Sequence, residues 1–199
     1  MAAAKGCCAR ILLTGAPGVG KTTICKKVNE ALMKNSISTQ GFYTEEVRND
    51  QKAGRIGFDI VTLTGERSPL ARLKEEGKKQ NGPSVGKYLV DLKSFESLAM
   101  SSLQFHHDSV PSSVVIVDEI GKMELFSRLF SQAVSDLFES KTPCILATVP
   151  IAKQRAIPFV ERLKERKDVV LIEVTRTNRS SIADEVLQLI SSAICRKVT

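Results

Sequence analysis

Tryptophan is missing from this chain, and aromatic residues make up only 5% of it. That scarcity excludes a stacking platform for single-stranded nucleic acid, which needs ring after ring along a basic groove. The 29 Lys and Arg outnumber the 22 Asp and Glu, for a net charge of +7, but they are scattered rather than gathered. A solvated basic surface open to anionic small molecules is expected, and nucleic acid is not. Histidine occurs only at His106 and His107, beside Asp108. Adjacent side chains point apart and no further ligand cluster accompanies them, so the trio reads as an exposed loop and not as a metal site.

The five cysteines, Cys7, Cys8, Cys25, Cys144 and Cys195, show neither metal-ligand pairing nor a disulfide framework. A reducing compartment follows, with Cys25 and Cys144 acting as small core residues. No long apolar segment precedes residue 9, position 2 is Ala2, and Arg196-Lys197-Val198-Thr199 carries no prenylation pattern. No signal peptide, lipid or membrane anchor is expected, and the cytoplasm is. Internal repeats are missing too. At 199 residues, 42% hydrophobic and 26% charged, the chain should form one domain spanning 1–199, with residues 1–8 flexible.

What is present starts at Gly15-Ala16-Pro17-Gly18-Val19-Gly20-Lys21-Thr22-Thr23. The run fits Gly, four residues, Gly, Lys, then Ser or Thr, the pattern of a phosphate-binding loop. Its context fits as well. The apolar stretch Ile11-Leu12-Leu13 ahead of it suits a buried strand, and Ile24, Val28, Ala31 and Leu32 after it recur at helical spacing. Glycines there let main-chain N–H groups ring a phosphate, and the helix start adds unpaired donors and a positive dipole end. Lys21 is expected to reach the outer phosphates and the Thr22 hydroxyl to bind Mg²⁺.

Further along, Gly41 to Arg48 and Arg55 to Leu63 read as strands around turn formers at Asn49 to Gly54, a β-hairpin added to a mostly parallel sheet. Lys74 to Gly86, broken by Gly77, Gly82 and Pro83, is expected to be a mobile loop. Lys87 to Leu92 suggests a short strand, and Ser94 is a candidate cap for a helix carrying Phe95, Leu98, Ala99 and Leu103. Helices are expected over Met123 to Glu139, over Pro158 to Arg166 and from Ser181 towards Cys195, with strands at Cys144 to Val149 and Asp168 to Val174. The alternation predicts a three-layer α/β domain.

Val114-Val115-Ile116-Val117-Asp118-Glu119 is the second informative stretch. Four β-branched apolar residues suit a central parallel strand, and the acidic pair lies where that strand emerges, at the end of the sheet where ligands bind. Asp118 would help hold Mg²⁺ opposite Thr22. Glu119, facing the other side, would deprotonate a water in line with a γ-phosphate. A further cation is wanted for the charge that develops there, and Lys122, Arg176 and Arg179 are the candidates. GTPases that lack a well-placed arginine turn over at about 10⁻⁴ to 10⁻² s⁻¹, so slow turnover is expected. A nucleotide kinase and a nucleotide-gated binding module are the alternatives. No Asn-Lys-x-Asp segment is present to read guanine.

Four segments together, the phosphate loop at 15–23, Gly-Phe-Tyr-Thr-Glu-Glu-Val-Arg at 41–48, Ile-Gly-Phe-Asp-Ile-Val at 56–61 and Val-Asp-Glu-Ile-Gly-Lys-Met-Glu-Leu-Phe at 117–126, resemble the P-loop nucleoside-triphosphatase family that has vertebrate, bacterial and archaeal members. The resemblance implies Mg²⁺-dependent hydrolysis of several nucleoside triphosphates, ATP, GTP, CTP and UTP, to diphosphate and phosphate with weak base discrimination. It also implies nucleotide-binding segments at Gly15 to Thr22 and at Val114-Val115-Ile116-Val117-Asp118-Glu119-Ile120-Gly121. A monomer is expected rather than a stable oligomer, and the sequence names no protein partner.

Overall fold

The computed structural model describes residues 8–49, 52–75, 81–104, 113–152 and 155–195. His106-His107-Asp108, residues 76–80 of the expected loop and residues 1–7 of the expected flexible terminus lie outside these. Cys8 lies inside them and is not loose: it is buried, and its Sγ donates to the Lys141 carbonyl at 2.7 Å.

Nine strands form one sheet in the order β5-β6-β4-β3-β2-β7-β8-β1-β9. Five of them, β2 (Ser38–Asn49), β7 (Ser113–Asp118), β8 (Cys144–Thr148), β1 (Arg10–Thr14) and β9 (Val169–Glu173), run parallel. The remaining four, β3 (Lys52–Thr62), β4 (Arg67–Leu73), β6 (Tyr88–Val90) and β5 (Ser84–Val85), pair antiparallel. The hairpin expected from the sequence is therefore the first part of a larger extension. Part of the segment expected to be a mobile loop is ordered within it: Ser84 and Val85 pair with Leu89 and Tyr88, and Lys74 N–H donates to Lys87 O.

Strand alternation sorts the core into two layers. Leu12, Val115, Val117, Ile145 and Ala147 face α2 (Leu92–Leu103), α3 (Arg128–Glu139) and α4 (Pro158–Lys164). Ile11, Leu13, Val114, Ile116, Cys144 and Leu146 face α1 (Lys21–Lys34) and α5 (Ile182–Cys195). A central strand buried on both faces needs apolar residues at every position, and β1, β7 and β8 have them nearly throughout. On the first side Phe42, Phe95 and Phe130 form a buried triangle with centroids 5.2–6.1 Å apart. It joins β2, α2 and α3.

Two helix starts differ from expectation. Asp91, not Ser94, caps α2: its Oδ1 accepts from Ser94 N–H at 3.0 Å, and Ser94 sits inside the first turn. The stretch expected as one helix from Met123 is a 3₁₀ turn at Glu124–Phe126 followed by α3, with the Ser127 hydroxyl accepting from Phe130 N–H at 3.0 Å. α4 ends at Lys164 and β9 spans Val169–Glu173, each slightly shorter than expected.

The length of β2 positions the site. Ser38 to Tyr43 pair with β7, whereas Phe42 to Asn49 pair with β3. The antiparallel extension thus projects past the end of β7, where the acidic pair emerges. Ion pairs of Glu45 with Lys26 of α1 and with Arg67, and of Asp59 with Arg67 and Arg72, tie it down.

Truncating the aromatic triangle should be felt throughout the domain. Phe95→Ala is expected to cost about 3–5 kcal/mol of unfolding free energy, read by urea denaturation. A loss below about 1 kcal/mol would mean the triangle is not the packed junction described.

Candidate active site

The glycine loop lies between β1 and α1, as its pattern required. Gly15 has φ 145°, and a Cβ there would sit 2.4 Å from the Val174 carbonyl oxygen. Only glycine allows the loop to pass so close to the end of β9. Gly20 precedes α1 without a side-chain cap, so the first-turn N–H groups remain available to an anion. Lys21 is buried, and its Nζ donates to the Gly15 carbonyl at 3.1 Å, folding the ammonium back over the loop.

At the end of β7 the Asp118 carboxyl is buried. The Thr148 hydroxyl donates to Oδ1 at 2.5 Å, while Oδ2 is buried with no hydrogen-bond partner among the described residues. Burial pushes its pKa up, opposed by Thr148, by the adjacent Thr22 side chain and by the Lys21 charge. A hydroxyl and an unmatched carboxylate oxygen, side by side, are the hard donors that Mg²⁺ takes. No group of three or more His, Cys, Asp or Glu suited to a metal occurs among the described residues. Glu119 lies on the other side, about a third exposed, with an oxygen 3.9 Å from Lys21 Nζ. Burial and the Asp118 charge raise its pKa against the pull of Lys21, which makes it a better proton acceptor near neutrality.

These groups line one cleft of about 650 Å³ at the carboxyl ends of the strands. Gly15, Pro17, Gly18, Gly20, Lys21, Thr22, Thr23, Asp118 and Glu119 all face it. Ala16 is exposed and Val19 buried. Val114, Val115, Ile116, Val117 and Ile120 pack in the two cores instead, so their contribution is to carry Asp118 and Glu119. Of the three candidate cations, Lys122 is exposed and lines the cleft beside Glu119. Arg179 is exposed on the opposite side of the loop, its Cδ 3.9 Å from a Cβ built on Gly20. Arg176 is exposed away from the cleft lining. In the same loop the Asn178 amide is occupied by its own backbone, accepting from Thr175 N–H and donating to Glu173 O, each at 2.8 Å.

Glu124 escaped the sequence reading, although it stands within the quoted run 117–126. It is 4% exposed, and its Oε2 accepts from Gly121 N–H at 3.2 Å. A Cβ on Gly121 would lie 2.8 Å from Glu119 Oε1 and 2.9 Å from Glu124 Oε2, so the two carboxyls close on this glycine from either side. Burial, then the charge of Glu119, pushes the Glu124 pKa to about 8. Arg155, exposed after β8, also lines the cleft and was not singled out. Only a lone arginine in a loop marked it.

A family model described as NTPase matches residues 10–187. The human cancer-related nucleoside-triphosphatase is 45% identical over 188 residues, covering 92% of this chain and 97% of that protein. The solution structure of a human cancer-related nucleoside triphosphatase superimposes with a TM-score of 0.80 at 44% identity, over 92% of this chain and 98% of that one. The crystal structure of THEP1 from Aquifex aeolicus gives 0.76 at 37% identity, over 91% and 98%.

Glu124 sets a pH dependence. It is protonated when folded up to about pH 8 but ionised when unfolded above its ordinary 4.5. Between those values the folded state binds the extra proton, so its contribution to stability falls by about 1.4 kcal/mol per pH unit as pH rises. Glu124→Gln keeps an acceptor for Gly121 N–H and should remove that slope. Urea denaturation at pH 5 and pH 8 checks this, and parallel pH dependence in both proteins would contradict it.

Proposed function

The chain belongs to the NTPase family, and from that premise we propose that it hydrolyses nucleoside 5′-triphosphates to the diphosphate and phosphate with the residues gathered in the cleft. The observation that carries this reading is the meeting of an anion-binding helix start, an unmatched buried carboxylate oxygen on Asp118 and a raised-pKa carboxylate on Glu119 around one ammonium. In this reading the loop amides and Lys21 grip the β- and γ-phosphates, Lys21 exchanging its contact with Gly15 for the ligand. Thr22 and Asp118 hold Mg²⁺, which neutralises phosphate charge when bound. Glu119 orients a water in line with the terminal phosphorus and takes its proton. The P–O bond to the diphosphate then breaks, and the charge on the terminal oxygens is met by Lys21 and Lys122.

Weak base discrimination is supported by the self-satisfied Asn178 amide and by the lack of an Asn-Lys-x-Asp segment. Hydrogen-bond readout gives strong base selectivity, and those groups are spent elsewhere. Slow turnover is supported by the cations: Lys122 is exposed and Arg179 lies across the loop from Glu119. Neither is an arginine pre-set against the terminal phosphate.

Glu119→Gln should keep triphosphate affinity within about threefold while kcat falls about 10²- to 10⁴-fold. Retained turnover would remove Glu119 as the base. Phosphate release from ATP, GTP, CTP and UTP should stay below the enzyme median of about 10 s⁻¹ for each, and should stop when Mg²⁺ is chelated.

A further inference from the structure

The cleft does not stop at the phosphate site. Beyond Glu119 it continues between the antiparallel extension and α4, where Phe58, Val85, Met123 and Ile157 line it over the fully buried Leu70 and Val160, with the charged Glu46, Arg55, Arg155 and Glu161 also along the cleft. The apolar part of that wall does nothing for a polyphosphate or for water, both of which require polar partners. Two charged residues that line the same cleft, Arg55 and Glu46, brace it. The Arg55 guanidinium stacks over Phe58 at 4.7 Å and donates to the Tyr88 hydroxyl at 3.0 Å, and Glu46 pairs with it in turn.

Sheet order decides which end of the nucleotide this chamber meets. The loop after β9, with Arg179 against Gly20, lies on one side of the phosphate loop. The acidic pair, β2 and the extension lie on the other, and the cleft is lined from that second side, with none of residues 175–181 in its wall. Thr22, Asp118 and Glu119 mark the terminal-phosphate end, so the chamber stands past the γ-phosphate and not around the base.

We propose that this largely apolar chamber binds a small organic alcohol with a hydrophobic body, and that the protein transfers the terminal phosphoryl group to its hydroxyl as well as to water. The inference rests on the preceding reading of Glu119. The hydroxyl oxygen forms a bond to the terminal phosphorus and its proton passes to Glu119. The bridging P–O bond breaks, and its electron pair leaves with the nucleoside diphosphate. A monophosphate ester is the second product.

Primary alcohols provide the probe. The full chain is incubated with Mg-ATP and equal concentrations of methanol, 1-butanol or benzyl alcohol, and phosphorus NMR counts phosphate ester against inorganic phosphate. The ester-to-phosphate ratio should rise at least tenfold from methanol to benzyl alcohol. Val85→Glu, which puts a charge in the chamber from β5, at the sheet edge opposite β1 and β9, should return the benzyl ratio to the methanol value while phosphate release changes less than twofold. Normal phosphate release without ester, or with a ratio flat across the series or indifferent to Val85→Glu, overturns the proposal and leaves the hydrolytic reading standing. Failure to release phosphate at all overturns both. Should Val85→Glu not fold, the size dependence in the unaltered protein still decides.

Discussion

An ionised carboxyl sealed from water is costly unless something neutralises it, and Asp118 is the group around which the site is arranged. Thr148 satisfies one of its oxygens, and the other is buried beside Thr22 with no hydrogen bond among the described residues. The strand behind it is buried along its whole length and apolar from Val114 to Val117, so the carboxyl cannot swing out to solvent without unpacking two cores. The folded chain therefore carries a standing demand for positive charge at this spot. Lys21 meets it only in part, from a distance and while occupied with Gly15. A divalent ion arriving with phosphates would meet it fully.

The neighbouring acids show how one environment yields different behaviours. Glu119 is partly open and opposed by Lys21, so its pKa rise is held in check. Glu124, a few residues on, is shut in and feels Glu119 as a like charge, which keeps it neutral near pH 7. The two carboxyls crowd Gly121 together, and a neutral Glu124 can sit close to Glu119 without adding a second negative charge.

The parts legible in the sequence were those whose cause is local. The phosphate loop announces itself because glycines, lysine and threonine must stand at fixed offsets, and β7 because a doubly buried strand leaves no polar position. The α2 cap was read from the wrong candidate, since Asp91 and Ser94 both carry capping side chains and only the backbone decides between them. The expected helix from Met123 hid a break at Ser127, whose hydroxyl serves both Phe130 N–H and Glu96. Short strands such as Ser84–Val85 were invisible because two residues offer no periodicity. Glu124 and the apolar chamber were invisible for another reason: each is defined by which distant elements close over it, and spacing along the chain says nothing of that.

The overhang of β2 divides labour in one continuous sheet. Its first half belongs to the parallel core and its second half carries the four-stranded extension, so a single strand joins the phosphate machinery to the wall facing it. Exposed positions of the outer strands can be exchanged without touching the register that holds Asp118 opposite the glycines, whereas Ile60, Leu70, Ala71 and Val90 are buried in the core they share with β7. Descendants of one such chain could diversify the molecule they handle while inheriting their phosphate chemistry unchanged.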